Sequence, residues 1–228
     1  MINLNFTPKA FDLLEGILNN NDKTWYNEHR DDFEAYVRQP FAEVLKEASA
    51  RLAGTDVPLI GGPKTMFCQH RDIRFSTNKS PYSTYVSGLL TPSGNKEEKT
   101  GLVYIHLNRS GGFVACGFYQ LNPADLAPIR DRIVAKPKEF TAVIKNLAQA
   151  DLTLSDADRL TAMPRGYKEY KTHEHAMYLK LKSFMVQVDI GKGAWLEGDV
   201  VDCIVEYAQN SATLLAFGQA ALEDNPLG

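Results

Sequence analysis

Residues 70–82 read His70-Arg71-Asp72-Ile73-Arg74-Phe75-Ser76-Thr77-Asn78-Lys79-Ser80-Pro81-Tyr82. Two arginines, a lysine, an aspartate, a tyrosine and several small hydroxyls share thirteen positions. Guanidinium groups are planar forks that match the oxygens of phosphate or carboxylate, and a lysine adds a point charge. Residues 64–84 carry +3 within a chain whose net charge is −3. Arg71, Arg74 and Lys79 are therefore candidates to hold an anion. Tyr82 is a candidate catalytic hydrogen-bond donor, and Asp72 either orients an arginine or serves as a general base. The competing reading is an ion-pair network that pins a hairpin to a helix.

Other residues bear on the same chemistry. Residues 165–182 form a second basic stretch, also +3, with Arg165 beside Gly166 in a loop where backbone N–H groups can approach a ligand. Trp25 and Arg30 stand on an aromatic-rich helical face and either line a pocket or belong to the core and an ion pair. The histidines are scattered apart from His173 and His175, which have no acidic or cysteine partner at ligand spacing, so no metal is expected. The chain has no G-x-x-x-x-G-K, G-x-G-x-x-G or G-x-S-x-G run, so no cofactor is expected from the standard nucleotide loops and no serine nucleophile is marked. Aromatics interleave with basics at Arg74-Phe75 and Lys79-Tyr82-Tyr85, the mixture that stacking and phosphate contact need. The acidic balance of the whole chain argues against a nucleic-acid partner, which shows as a broad basic face.

The elements that must position these residues follow from periodicity. Thr7-Pro8 opens a helix with Phe11, Leu14, Ile17 and Leu18, and Asp22 caps a second with Tyr26, Phe33 and Tyr36. Pro40 breaks or kinks the run before a third helix ending at Gly54. Residues 54–64 are a Gly/Pro loop, 65–75 an imperfect strand, 76–81 a turn and 85–90 a strand. After a polar loop at 91–100, strands at 102–107 and 113–119 are joined by Asn108-Arg109-Ser110-Gly111-Gly112, a hairpin signal. Helices start at Asn122-Pro123 and at Pro137. Residues 151–172 are irregular, 174–181 a short helix, 184–188 a strand, and 198–222 one long helix with a frayed tail after Glu223. Helices flank a run of hairpin strands rather than alternating with them. That pattern is α+β with a mostly antiparallel sheet, flanked by N-terminal, central and C-terminal helices. A single domain over 1–228 is expected, with a helical part at about 7–53 and a sheet-containing core at about 64–222.

Arg71-Asp72-Ile73-Arg74-Phe75 followed by Asn78-Lys79 and Tyr82 resembles the signature of an uncharacterised family, catalogued as domain of unknown function twenty-four sixty-one. The family pattern is Arg-x-x-Arg-Asp-x-Arg-Phe, then Asp or Asn, Lys and Tyr, and the resemblance covers nearly the whole chain. Trp25, Arg30, Pro40, Gly111-Gly112, Arg130, Pro164, Gly166 and Leu181 are similar as well. Cys68 stands where the pattern has its leading arginine, and Ser83 where a lysine is common after the tyrosine; both changes remove positive charge. The resemblance carries no activity.

Composition sets the outer bounds. Hydrophobic residues make up 44% of 228, enough for a sizeable core. Three cysteines, Cys68, Cys116 and Cys203, with no close pair, argue against a disulfide framework and fit a reducing cytoplasm. The N-terminus has no basic region followed by an apolar run, so no leader is expected, and no stretch suits a membrane helix. Three readings stay open. The chain is an enzyme on a small phosphorylated or carboxylated ligand, a non-catalytic module binding an anion or a macromolecular partner through the same surface, or a protein in which the stretch is a structural staple.

Overall fold

The computed structural model describes residues 6–98 and 100–224. The N-terminal stretch read above as no leader lies outside them through residue 5, as do position 99 of the polar loop and the tail from 225. The chain is α+β, as its sequence predicts. Its sheet has four antiparallel strands in the order of the chain: β1 (Val86–Leu90), β2 (Leu102–Asn108), β3 (Gly111–Phe118) and β4 (Phe184–Gly191).

Alternation along the strands gives the sheet two unlike faces. Val103, Ile105 and Leu107 of β2 and Val114, Cys116 and Phe118 of β3 are fully buried on one face. Helices cover that side: α3 (Gln39–Leu52), α6 (Lys192–Glu197), α7 (Val200–Asn210) and α8 (Ala212–Asp224). The fit is close at two glycines. A Cβ on Gly88 would meet Leu45 and Phe41, and one on Gly218 would overlap the Phe118 ring. Burial drives this coupling of helix to sheet, at roughly 25 cal/mol per Å² of apolar surface removed from water. The other face carries Ser87, Leu89, Tyr104, His106, Phe113, Ala115, Met185 and Gln187, and among the described residues no helix covers it.

The remaining helices extend the core. In α1 (Pro8–Asn19) the apolar spacing buries Phe11, Leu14 and Ile17. In α2 (Lys23–Phe33) the Asp22 carboxylate accepts from the Thr24 and Trp25 N–H groups, the predicted cap. Two further helices, α4 (Pro123–Ala135) and α5 (Pro137–Gln149), pack against α8. Among the described residues no helix is long and apolar enough to cross a membrane.

One local reading narrows and three change. Pro40 does not break the helix: a π-helical segment, Glu34–Arg38, precedes it, and the Gln39 N–H reaches Glu34 O. The wider turn accommodates a residue that has no N–H and crowds the preceding carbonyl. Residues 65–75 form no strand. A 3₁₀ turn (Pro63–Thr65) and two isolated bridges, Met66 with Gly88 and His70 with Tyr82, take its place, because the polar residues after His70 offer no alternating apolar face to bury. The short helix expected at 174–181 is reduced to a 3₁₀ turn at Tyr178–Lys180, after another at Lys168–Thr172. The long terminal helix is two pieces, α7 and α8, with the separate short α6 just before them. Buried Trp195 seats α6, and at Ser211 the hydroxyl donates to Tyr207 O, competing with the backbone ladder where α7 gives way to α8.

Candidate functional site

Loop 71–82 folds back on itself. The Arg71 N–H bonds Pro81 O, and its guanidinium donates to Ser80 O (2.9 Å) and, at 3.5 Å, to Ser76 Oγ. Lys79 Nζ donates to Ile73 O at 3.0 Å. Arg74 makes a two-pronged pair with Asp72, with Nη2 to Oδ2 at 2.7 Å, and both side chains stand largely in solvent. That pair holds the Asp72 carboxyl below the usual carboxylate range, chiefly through the Arg74 hydrogen bonds. This moves Asp72 away from the basicity a general base uses near neutral pH. Phe75 beside it is 96% exposed.

Tyr82 is 3% exposed. Its ring stacks on Tyr26 at 4.0 Å and contacts His70 at 4.8 Å. Asn21, in the turn between α1 and α2, grips its backbone twice, accepting from the Tyr82 N–H (3.0 Å) and donating to its carbonyl (2.9 Å). Tyr82 thus anchors the loop to the N-terminal helices.

The other predicted residues sit apart. Trp25 is half-buried, packs over Gly16 of α1 and stacks on His29 at 4.2 Å. Arg30 is exposed on α2. Arg165 is exposed in a turn completed by Gly166 at φ +88°. That second basic stretch docks on different helices: the Tyr167 hydroxyl donates to Asp131 (2.6 Å) on α4, and Tyr178 packs on Phe140 of α5. No hydrogen bond, ion pair or ring contact among the described residues joins it to loop 71–82. Two of the family-like positions, Arg130 and Leu181, do converge. Arg130, 4% exposed, donates from Nη2 to Leu181 O (2.9 Å) and lies over the Tyr167 ring, and burial lowers its pKa. Among the described residues no group of three or more His, Cys, Asp or Glu is placed to hold a metal ion.

The open face of the sheet holds a feature that residue-type scanning missed. A cleft of about 720 Å³ lies over it, floored by Tyr104, His106, Phe113 and Met185 and walled by Phe67, Tyr119 and residues of the 155–158 segment. That volume falls within the range of small-molecule sites, roughly 300–1,000 Å³. Tyr85, His106 and Phe113 form a three-ring stack, with centroids 4.3 and 4.7 Å apart. The Tyr104 hydroxyl shares a hydrogen bond with His106 Nδ1 at 3.1 Å. Burial lowers the His106 pKa to about 4 and raises that of Tyr104, so both are neutral near pH 7. A smaller pocket of about 350 Å³, lined by Cys68, His70 and Ser83, shares Phe67, Tyr85 and Tyr104 with the cleft. The two adjoin across those residues, and the groove they outline reaches His70, next to loop 71–82. The signal was present in β2, where Tyr104 and His106 alternate with the core residues Val103, Ile105 and Leu107.

His106 makes one consequence measurable. The folded state favours the neutral ring, while the unfolded chain protonates near the ordinary value of 6.5. The unfolded state therefore binds more protons between about 6.5 and about 4, and stability falls as pH is lowered through that window. Urea midpoints taken across it should fall less steeply in His106→Phe, whose ring keeps the stack, than in the wild type.

Fold and groove together describe an α+β protein with a small-molecule-sized cleft on the uncovered face of its sheet. The model of the family described as Conserved hypothetical protein (DUF2461) matches residues 9–217, and the chain belongs to that family. No curated protein and no solved structure matches it.

Proposed function

We propose that this protein binds a small phosphorylated or carboxylated ligand, with loop 71–82 holding the anion at the end of the groove. One observation carries the reading: among the described residues neither Arg71 nor Lys79 has a carboxylate partner. Their donors meet only neutral oxygens, Ser80 O, Ser76 Oγ and Ile73 O. A guanidinium has five N–H donors and an ammonium three, so each cation retains capacity for an anion. Arg71 leads directly from His70, which lines the groove. In this reading Asp72 orients Arg74 at the rim, Tyr82 fixes the loop, and any chemistry acts on a ligand anchored there. The double grip of Asn21 on Tyr82 favours a second reading, in which the loop is a staple between the helices and the sheet.

Thermal unfolding against inorganic phosphate and panels of phosphorylated and carboxylated metabolites separates the two. A ligand at 100 times its Kd adds about 2.7 kcal/mol, which raises the Tm of a chain this size by several degrees. Arg71→Ala is expected to remain folded and lose that shift, and Lys79→Ala to weaken it roughly tenfold in concentration, about 1.4 kcal/mol. No shift with any compound, together with an Arg71→Ala variant that does not fold, leaves only the staple.

A further inference from the structure

We infer that the cleft over the open sheet face seats a planar heteroaromatic ring, making the ligand a heteroaromatic phosphate of mononucleotide size. The phosphate half rests on the anion reading above; the ring half stands on the cleft alone. Four observations carry it.

The lining is aromatic rather than merely apolar: Phe67, Tyr85, Tyr104, Phe113 and Tyr119 join His106 around the cleft. Aromatic groups favour offset-stacked and edge-to-face partners, a preference that an alkyl chain does not satisfy. The interior also presents no uncompensated charge. Its carboxylate, Asp158, is paired with Lys182 at 2.8 Å, and His106 is neutral. The portion of a ligand lying here is therefore uncharged, and an anionic portion belongs at the loop end.

Hydrogen-bonding groups are available at the β4 end. The side-chain amides of Gln120 and Gln187 make no hydrogen bond to any described residue, and Ser183 Oγ, which accepts from the Gln120 N–H at 2.9 Å, keeps its own proton to donate. Two amides, each donor and acceptor, suit the mixed edge of a heterocycle. Gln120 itself is held at φ +44°, in the left-handed region that a non-glycine residue seldom occupies. Such backbone strain concentrates at binding sites, where surrounding structure over-determines it. The order along the groove is then amide edge, aromatic floor, and cationic loop.

The test is titration calorimetry with the ribonucleoside monophosphates, their nucleosides, inorganic phosphate and octyl phosphate. The proteins are the wild type, Gln187→Ala and Phe113→Leu, with unfolding midpoints taken for each. At least one nucleotide should bind, its nucleoside more weakly, and octyl phosphate no more tightly than inorganic phosphate. Gln187→Ala, a change at an exposed side chain, should bind that nucleotide roughly tenfold more weakly, and Phe113→Leu tenfold to a hundredfold more weakly, the scale of one lost ring contact. If Phe113→Leu fails to fold, Gln187→Ala decides. A nucleoside that binds as tightly as its nucleotide upholds the ring site and overturns the anion reading. Phosphate or octyl phosphate binding with nothing gained from a base overturns the ring site and leaves the anion reading standing. Failure of every nucleoside and nucleotide to bind overturns the proposal.

Discussion

Gly112→Ala is expected to destabilise the protein by about 3–5 kcal/mol, at the upper end of single-residue effects. Gly112 lies in β3, paired with Leu107 of β2 on one side and Ile190 of β4 on the other, at φ +131°. Glycine adopts that conformation readily, whereas a side chain is strained there. Space is the second obstacle: a Cβ at this position would overlap the His106 carbonyl, a backbone atom in an adjacent strand that cannot rotate away. Relief requires opening the β2–β3 ladder beneath His106 and Phe113, so the cleft floor would distort along with the sheet. Urea unfolding should show the loss, and near-ultraviolet circular dichroism should report the disturbed aromatic stack. Gly54→Ala is the matched control. A Cβ there meets nothing within 4 Å, and the change should be neutral or stabilising by about 0.4–1 kcal/mol through the unfolded chain. Equal losses in the two variants would contradict this account of the sheet.

Tyr82→Ala should cost about 3–5 kcal/mol, the range for truncating a buried aromatic. The ring is enclosed by Tyr26 and His70, and its removal leaves a cavity beneath the loop that carries Arg71 and Lys79. Tyr82→Phe keeps the ring and should stay within about 1 kcal/mol of the wild type, since the hydroxyl makes no hydrogen bond to a described residue. Asn21→Ala removes two bonds to the Tyr82 backbone and should cost about 1–3 kcal/mol. Denaturation of the three variants gives the ranking. Proteolysis of the loop should accelerate in Tyr82→Ala and Asn21→Ala and not in Tyr82→Phe. A Tyr82→Phe variant as unstable as Tyr82→Ala would mean that the hydroxyl, not the ring, holds the loop. A stable Tyr82→Phe variant that loses ligand binding would instead assign the hydroxyl to the site.

What the sequence determined by itself was local. Asp22 as a cap, proline at the start of α1, α4 and α5, and the hairpin around Gly111-Gly112 all follow from residues within a few positions of one another. The α+β class followed from the order of those elements. Readings that depended on distant partners did not survive in the same way. A strand at 65–75 needed a neighbouring edge that pairs with it only at isolated bridges. The single terminal helix is interrupted at Ser211, which is buried and whose hydroxyl bonds the Tyr207 carbonyl, a bond that weakens the helix locally. The same division runs through the candidate site. Residue types marked loop 71–82 as cationic, yet only the tertiary structure decided that Arg74 pairs with Asp72, that Tyr82 turns inward, and that Arg71 and Lys79 meet neutral oxygens. The cleft was the least legible part. Its floor comes from three strands and its walls from segments as far apart as Phe67 and Asp158. Alternation can place Tyr104 and His106 on one face of a strand. Whether that face is covered by a helix or left open is fixed only when the whole chain packs.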